Sequence, residues 1–250
     1  MTWLEISPYV FVWGPISIRW YGLLMMAAVL LGTWLALREA RRRGIKEDHI
    51  IDLVLIGAPI SWLGARLYYV IMEWDYYSRN LWEIPQLWHG GLAIHGGLLT
   101  AILFGYMFCR LRGLRFRLMA DITAPSFPLG QAIGRWGNFF NQEAYGYPTD
   151  LPWAMYIAGA YRHPTFLYES LWNLLVFVIL MVRRRKQAAG QLFMLYLGLY
   201  SLGRFFIEGF RTDSLMLGPL RAAQVLSILL TAAAVIGYVY LGRRQAGDGS

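Results

Sequence analysis

The fold is decided by WYGLLMMAAVLLGTWLALREARRRGIK, residues Trp20–Lys46. Its first part, Trp20–Leu37, is almost wholly apolar. At about 1.5 Å rise per residue such a run just crosses the hydrocarbon of a bilayer. Arg38, Arg41, Arg42, Arg43 and Lys46 follow directly. An apolar run closed by a block of cations reads as a membrane span ending on the cytoplasmic side. Further spans are predicted at about 50–72, 91–109, 118–134, 165–182, 190–207 and 224–241. Basic blocks follow the third (Arg110, Arg112, Arg115, Arg117), the fifth (Arg183, Arg184, Arg185, Lys186) and the seventh (Arg243, Arg244). These four blocks hold 15 of the 23 Lys and Arg residues. Seven spans put every block on one side, whereas six would strand one block on the other. The expectation is an all-α integral membrane protein, one polytopic domain over residues 1–250, N-terminus external and C-terminus cytoplasmic.

Composition agrees. Hydrophobic residues make up 57% and charged residues 15%, against about 45–50% and about 25% in soluble domains. The net charge of +8 is a topology signal, so no nucleic-acid partner is expected. A mean hydropathy of +0.41 is modest for such a chain, which places polar groups in the embedded part or its loops. The single cysteine, Cys109, excludes an intrachain disulfide and a cysteine-rich metal site. Beside Arg110 it reads as an inert residue of the inner interface. His49, His89, His95 and His163 form no H-x-x-x-H pair, and there is no P-loop or nucleophile elbow. No Lys or Arg precedes Arg19, so the start lacks the basic region of a signal peptide. Glu5–Ile18 reads as an interfacial stretch. The fourth span is the weakest, with Asp121, Pro125, Pro128 and Gln131. Charge parity requires it, and Gly130 and Gly134 give it a small-x-x-x-small face.

The fourth span runs into GRWGNFFNQEAYGYPT, Gly134–Thr149, the head of a polar and aromatic external loop expected over 135–165. Arg135, Asn138, Asn141, Gln142 and Glu143 stand there among aromatic residues and glycines. Arginine offers a flat fork of donors that fits phosphate or carboxylate. The stretch reads as the floor of a site for an anionic group, or alternatively as a polar turn capping a membrane helix. Under the seven-span topology other polar residues fall at the same external level. They are Arg19 and Tyr21 on the first span, His95 on the third, His163, Tyr168 and Glu169 on the fifth, and Arg204 and Glu208 on the sixth. Charges at membrane depth are expensive and face functional cavities. The expectation is a polar chamber open to the outer leaflet and the external side. Each residue also has a plainer reading. His95, among Gly90, Gly91, Gly96 and Gly97, suits a helix end; Arg204 and Glu208 suit an i,i+4 pair; Tyr21 and Tyr168 suit the aromatic belt; Arg66 suits snorkelling or a pair with Glu73.

Gly134–Thr149 closely resembles the signature of bacterial prolipoprotein diacylglyceryl transferases. Arg19-Trp20-Tyr21-Gly22, Ile94-His95-Gly96-Gly97, Arg162-His163-Pro164 with Leu167-Tyr168-Glu169, and Gly203–Arg211 resemble that family's other motifs, in its order. Trp136 departs from the pattern, standing where a smaller aliphatic residue is expected. The resemblance implies a membrane transferase of the bacterial cytoplasmic (inner) membrane. It would move the diacylglyceryl group of phosphatidylglycerol to the lipobox cysteine thiol in the signal peptide of a lipoprotein precursor, releasing glycerol phosphate, and would need no metal and no organic cofactor.

The residues suit that chemistry. Arg135 and Arg204 can stabilise the leaving phosphate. His95 is the natural base for a thiol that reacts as thiolate, although nearby arginines can instead lower the thiol pKa. Tyr21 and Asn138 can hydrogen-bond the head group, and Glu143 and Glu208 can orient the arginines. The competing classes are a transporter or channel for an anionic solute, and a transferase with another acceptor.

Overall fold

The computed structural model describes residues 7–14, 16–86, 90–212 and 215–247. The part of the expected interfacial stretch before Ser7, together with Pro15 and His89, lies outside them. The main helices are α1 (Trp20–Arg42), α2 (Glu47–Met72), α4 (Ile94–Leu111), α5 (Phe116–Thr123), α6 (Ser126–Phe140), α7 (Thr165–Arg183), α8 (Gln191–Glu208) and α9 (Ala222–Gly247). The short helix α3 (Trp74–Tyr77) and a 3-10 turn (Leu81–Glu83) lie between α2 and α4. Five helices, α1, α2, α4, α7 and α9, are long and apolar enough to cross a membrane. Their apolar side chains point outward: Leu30, Leu55, Ile71, Val182 and Ile236 are each more than 60% exposed. Such a surface suits hydrocarbon, not water. The chain is a multi-pass, mostly helical membrane protein.

The expected fourth span is not one helix. It breaks at Ala124 and Pro125 into α5 and α6, because proline has no N–H and clashes with the preceding turn. Pro128 is tolerated because it lies in the first turn of α6, where N–H groups have no helical partner. α6 also runs on to Phe140, so Arg135 and Asn138 are helical and not part of a loop. Among the described residues, three small antiparallel hairpins accompany the helices. β1 (Tyr9–Trp13) pairs with β2 (Ile16–Arg19), β3 (Met155–Ile157) with β4 (Ala160–Arg162), and β5 (Met216–Leu217) with β6 (Leu220–Arg221).

The chain divides into two compact units, Met1–Ala36 with Ala120–Ser250, and Leu37–Met119. In the first, small residues of α6 face α1. A Cβ on Gly137 would stand 2.6 Å from Tyr21 Cδ2, one on Gly134 3.3 Å from Met25 Sδ, and one on Gly130 3.9 Å from Ala28 Cβ. Ser126 Oγ donates to Gly32 O at 2.7 Å. Gly203 of α8 makes room for Trp172 of α7: a Cβ there would meet Trp172 Nε1 at 2.0 Å. That Nε1 donates to Leu199 O at 2.9 Å. Asp121, fully buried, accepts from Gly190 N at 2.7 Å and Phe193 N at 2.9 Å. It thereby caps the N-terminus of α8 from α5, which explains a carboxylate in an apolar segment. Ala124, Val176, Leu180, Leu192 and Tyr196 form the core beneath.

In the second unit, α2 and α4 meet along Gly57, Gly64, Gly96 and Gly97, each of which leaves room for a side chain or backbone atom of the facing helix. Close approach through small residues is the usual membrane-helix seam.

Candidate active site

Three helices and the turn after α8 bring five charged side chains together. Glu169, in the first turns of α7, is 3% exposed overall. Its Oε1 accepts from Arg204 Nη1 at 2.8 Å and Arg211 Nη1 at 3.3 Å. Its Oε2 lies 2.5 Å from Arg135 Nη2. Glu208 Oε2 lies 2.7 Å from Arg204 Nη2, one turn back along α8, and 3.9 Å from Arg211 Nε. These five side chains sum to +1. Their burial is graded: the side chains of Arg135 and Arg204 are 20% exposed, those of Glu169 and Glu208 only 4%. The carboxylates are the more deeply buried partners, and the side chains of Arg135 and Arg204 keep part of their surface.

The chain segment after α6 holds this arrangement. It turns through Gln142 (φ 53°) and Ala144 (φ 56°), left-handed conformations that cost a non-glycine residue about 1–2 kcal/mol each. Gly146 N then donates to His163 O, and Tyr147 N to Phe210 O, each at 3.0 Å. A Cβ on Gly146 would stand 2.6 Å from His163 Cβ and 2.9 Å from Phe210 O, so only glycine fits. Arg211 is thereby strapped beside Glu169. Thr165 Oγ1 donates to Ala144 O at 2.6 Å, tying the same segment to the start of α7.

Tyr21 and Asn138 belong to this end of the unit. The Tyr21 ring packs on Gly137, next in sequence to Asn138, and Trp20 stacks on Phe140 at 4.7 Å. Tyr21 is 40% exposed and Asn138 is half-buried, so both keep surface for a ligand. Trp136, the departure from the family pattern, is 40% exposed. Its ring meets Phe166 at 5.4 Å and Phe139 at 6.2 Å, on the aromatic side of α6. Glu143 is exposed, and its hydrogen bond comes from Asn141 Nδ2 at 3.2 Å. The carboxylate beside Arg135 is Glu169, not Glu143. Glu169 is among the polar residues expected at the external level but carries no assigned role there, and Arg211 enters only as the end of the Gly203–Arg211 motif. Each sits in a family-like motif, but nothing local marks either as a partner of Arg135 or Arg204.

His95 lies in the other unit, second residue of α4 and exposed. Its ring is 6.5 Å from that of Tyr68. Arg66 neither snorkels nor pairs with Glu73: it is buried, and its guanidinium donates to backbone carbonyls. Cys109 is 1% exposed in α4. Among the described residues no cluster of His, Cys, Asp and Glu is arranged to hold a metal.

The fold and this cluster define a class, a multi-pass membrane protein with a net-positive cluster of arginines and glutamates. The family described as prolipoprotein diacylglyceryl transferase matches residues 8–240, and the chain belongs to it. Proteins named phosphatidylglycerol–prolipoprotein diacylglyceryl transferase are close relatives. That of Geobacillus kaustophilus is 55% identical, with 94% of this chain and 91% of the relative covered. That of Clostridioides difficile is 49% identical, covering 92% and 93%. That of Bacillus velezensis is 51% identical, covering 97% and 94%.

Proposed function

We propose that the chain transfers the diacylglyceryl group of phosphatidylglycerol to the lipobox cysteine of lipoprotein precursors, with the exposed faces of Arg135 and Arg204 holding the phosphate. The supporting observation is the graded burial of the cluster, with the arginine side chains partly exposed and the carboxylates buried. In the reaction a C–S bond forms at the glyceryl carbon and that carbon's bond to the phosphodiester oxygen breaks, the oxygen leaving with the phosphate. The donor phosphodiester carries one negative charge. Glycerol phosphate leaves with a second developing as the thiol proton departs. Fixed donors aimed at growing charge stabilise the transition state more than the ground state. Glu169 and Glu208 keep the forks pre-oriented, which lowers reorganisation during the step. Arg211 adds a third cation to the same carboxylates. His95 is proposed as the acceptor of the thiol proton, Tyr21 and Asn138 as hydrogen-bond partners of the head group, and Glu143 as a rim residue.

The topology proposed with this reading counts α5–α6 and α8 with the five apolar helices, giving seven crossings around a polar chamber open to the outer leaflet. It places the N-terminus and residues 141–164 outside, the arginine blocks and C-terminus inside, and the protein in the bacterial cytoplasmic membrane. Purified protein, acyl-labelled phosphatidylglycerol and a lipobox peptide test the reaction. Label on the cysteine peptide, and none on its serine counterpart, is expected. Labelled solute crossing vesicles without peptide modification would support a transporter instead.

A further inference from the structure

Arg66, in the C-terminal third of α2, is 3% exposed. Its Nε donates to Ile84 O at 2.9 Å, Nη2 to Glu83 O at 2.7 Å, and Nη1 to Gly90 O at 2.7 Å and Gly91 O at 3.1 Å. The guanidinium also faces the Tyr77 ring at 5.1 Å. A buried cation is costly unless its donors are satisfied, and here four carbonyls satisfy it. They come from the 3-10 turn on one side and from the two glycines that lead into α4 on the other. Next to Arg66, Ala65 O accepts from Ala93 N at 3.1 Å, so the N-cap of α4 is tied to the same turn of α2. Gly91 has φ +69°, and a Cβ on it would stand 2.5 Å from Arg66 Nη1. Past His95 the helix is held again: a Cβ on Gly96 would meet Tyr68 Cβ at 2.2 Å and Gly64 O at 2.6 Å. His95 is therefore fixed in position from before and after by α2.

We propose that Arg66 is the positioning residue for His95, acting as a clasp that sets where the first turn of α4 begins. The inference rests on the assignment of His95 as the base. Lysine at this position would keep the charge but not the fork that reaches both ends of the segment.

The test is a double-variant comparison of turnover with phosphatidylglycerol and lipobox peptide, using protein whose folding is checked by thermal unfolding. Arg66→Gln alone is expected to lower turnover at least tenfold with lipid KM little changed, and Arg66→Lys to lower it less. In a His95→Gln background, Arg66→Gln should change turnover by less than threefold, because the group it positions is gone. If Arg66→Gln does not fold, Arg66→Lys carries the same comparison. Losses that multiply in the double variant, or wild-type turnover in the Arg66 variants, overturn the proposal. Wild-type turnover in His95→Gln removes the histidine from the chemistry, and the clasp's catalytic meaning with it.

Discussion

Glu169 is the residue on which the charged cluster depends, since one buried carboxylate meets Arg135, Arg204 and Arg211. Removing it takes a carboxylate from all three guanidinium groups at once. Breaking a buried ion pair from one side costs about 3–5 kcal/mol. Arg135 and Arg204 retain some exposure, so Glu169→Gln is expected at the lower end, about 3 kcal/mol, read as a fall in thermal midpoint in detergent. An unchanged midpoint would show that the arginines do not need it. Cys109 makes the opposite prediction. It is buried within α4, and the reacting thiol belongs to the substrate, so Cys109→Ser should keep most of the turnover. A folded but dead variant would point to an enzyme thiol in the reaction. Arg135, Arg204 and Glu208 were legible in sequence because charges in apolar runs are rare. The partnership of Glu169 was not, because its three arginines come from different elements. Glu143 was attractive for its nearness to Arg135 along the chain, but the chain turns at Asn141 before reaching it.

At the scale of elements, α7 and α8 are the frame of the site, and their seam is set by the notch at Gly203. Its neighbour is Arg204, while Trp172 stands one turn after Glu169. Gly203→Ala would push Trp172 out of the notch and break its bond to Leu199 O. Overpacking of this kind costs about 1–3 kcal/mol, and turnover should fall with it because both ion-pair partners ride on the seam. Wild-type turnover with wild-type stability would show that the seam has slack. The long apolar helices were legible from run length and the basic blocks that close them. The break at Pro125 was visible only as a weakness in the fourth span, since membrane helices also tolerate proline, as α2 does at Pro59. The hairpins were not legible. β3 and β4 turn at Ala158 and Gly159, both at positive φ, and Ala-Gly is a weaker turn signal than Asn-Gly.

For the whole molecule, the proposed orientation, with the basic blocks inside, puts Thr149 outside. In a Cys109→Ser background, a cysteine at Thr149 should react with an impermeant maleimide from the external side. Reaction from the cytoplasmic side alone would overturn the seven-span topology. In the proposed mechanism arginine forks, and not charge alone, stabilise the departing phosphate. The deciding measurement is the turnover of Arg135→Lys and Arg204→Lys beside Arg185→Lys, an exposed member of the block after α7. A lysine keeps the charge and loses the second parallel donor. Each cluster variant is predicted to lose at least tenfold in turnover, about 1.4 kcal/mol of transition-state stabilisation, with smaller changes in lipid affinity and none in the control. Near-wild-type turnover in both cluster variants would contradict the clamp and leave Arg135 and Arg204 as structural partners of Glu169.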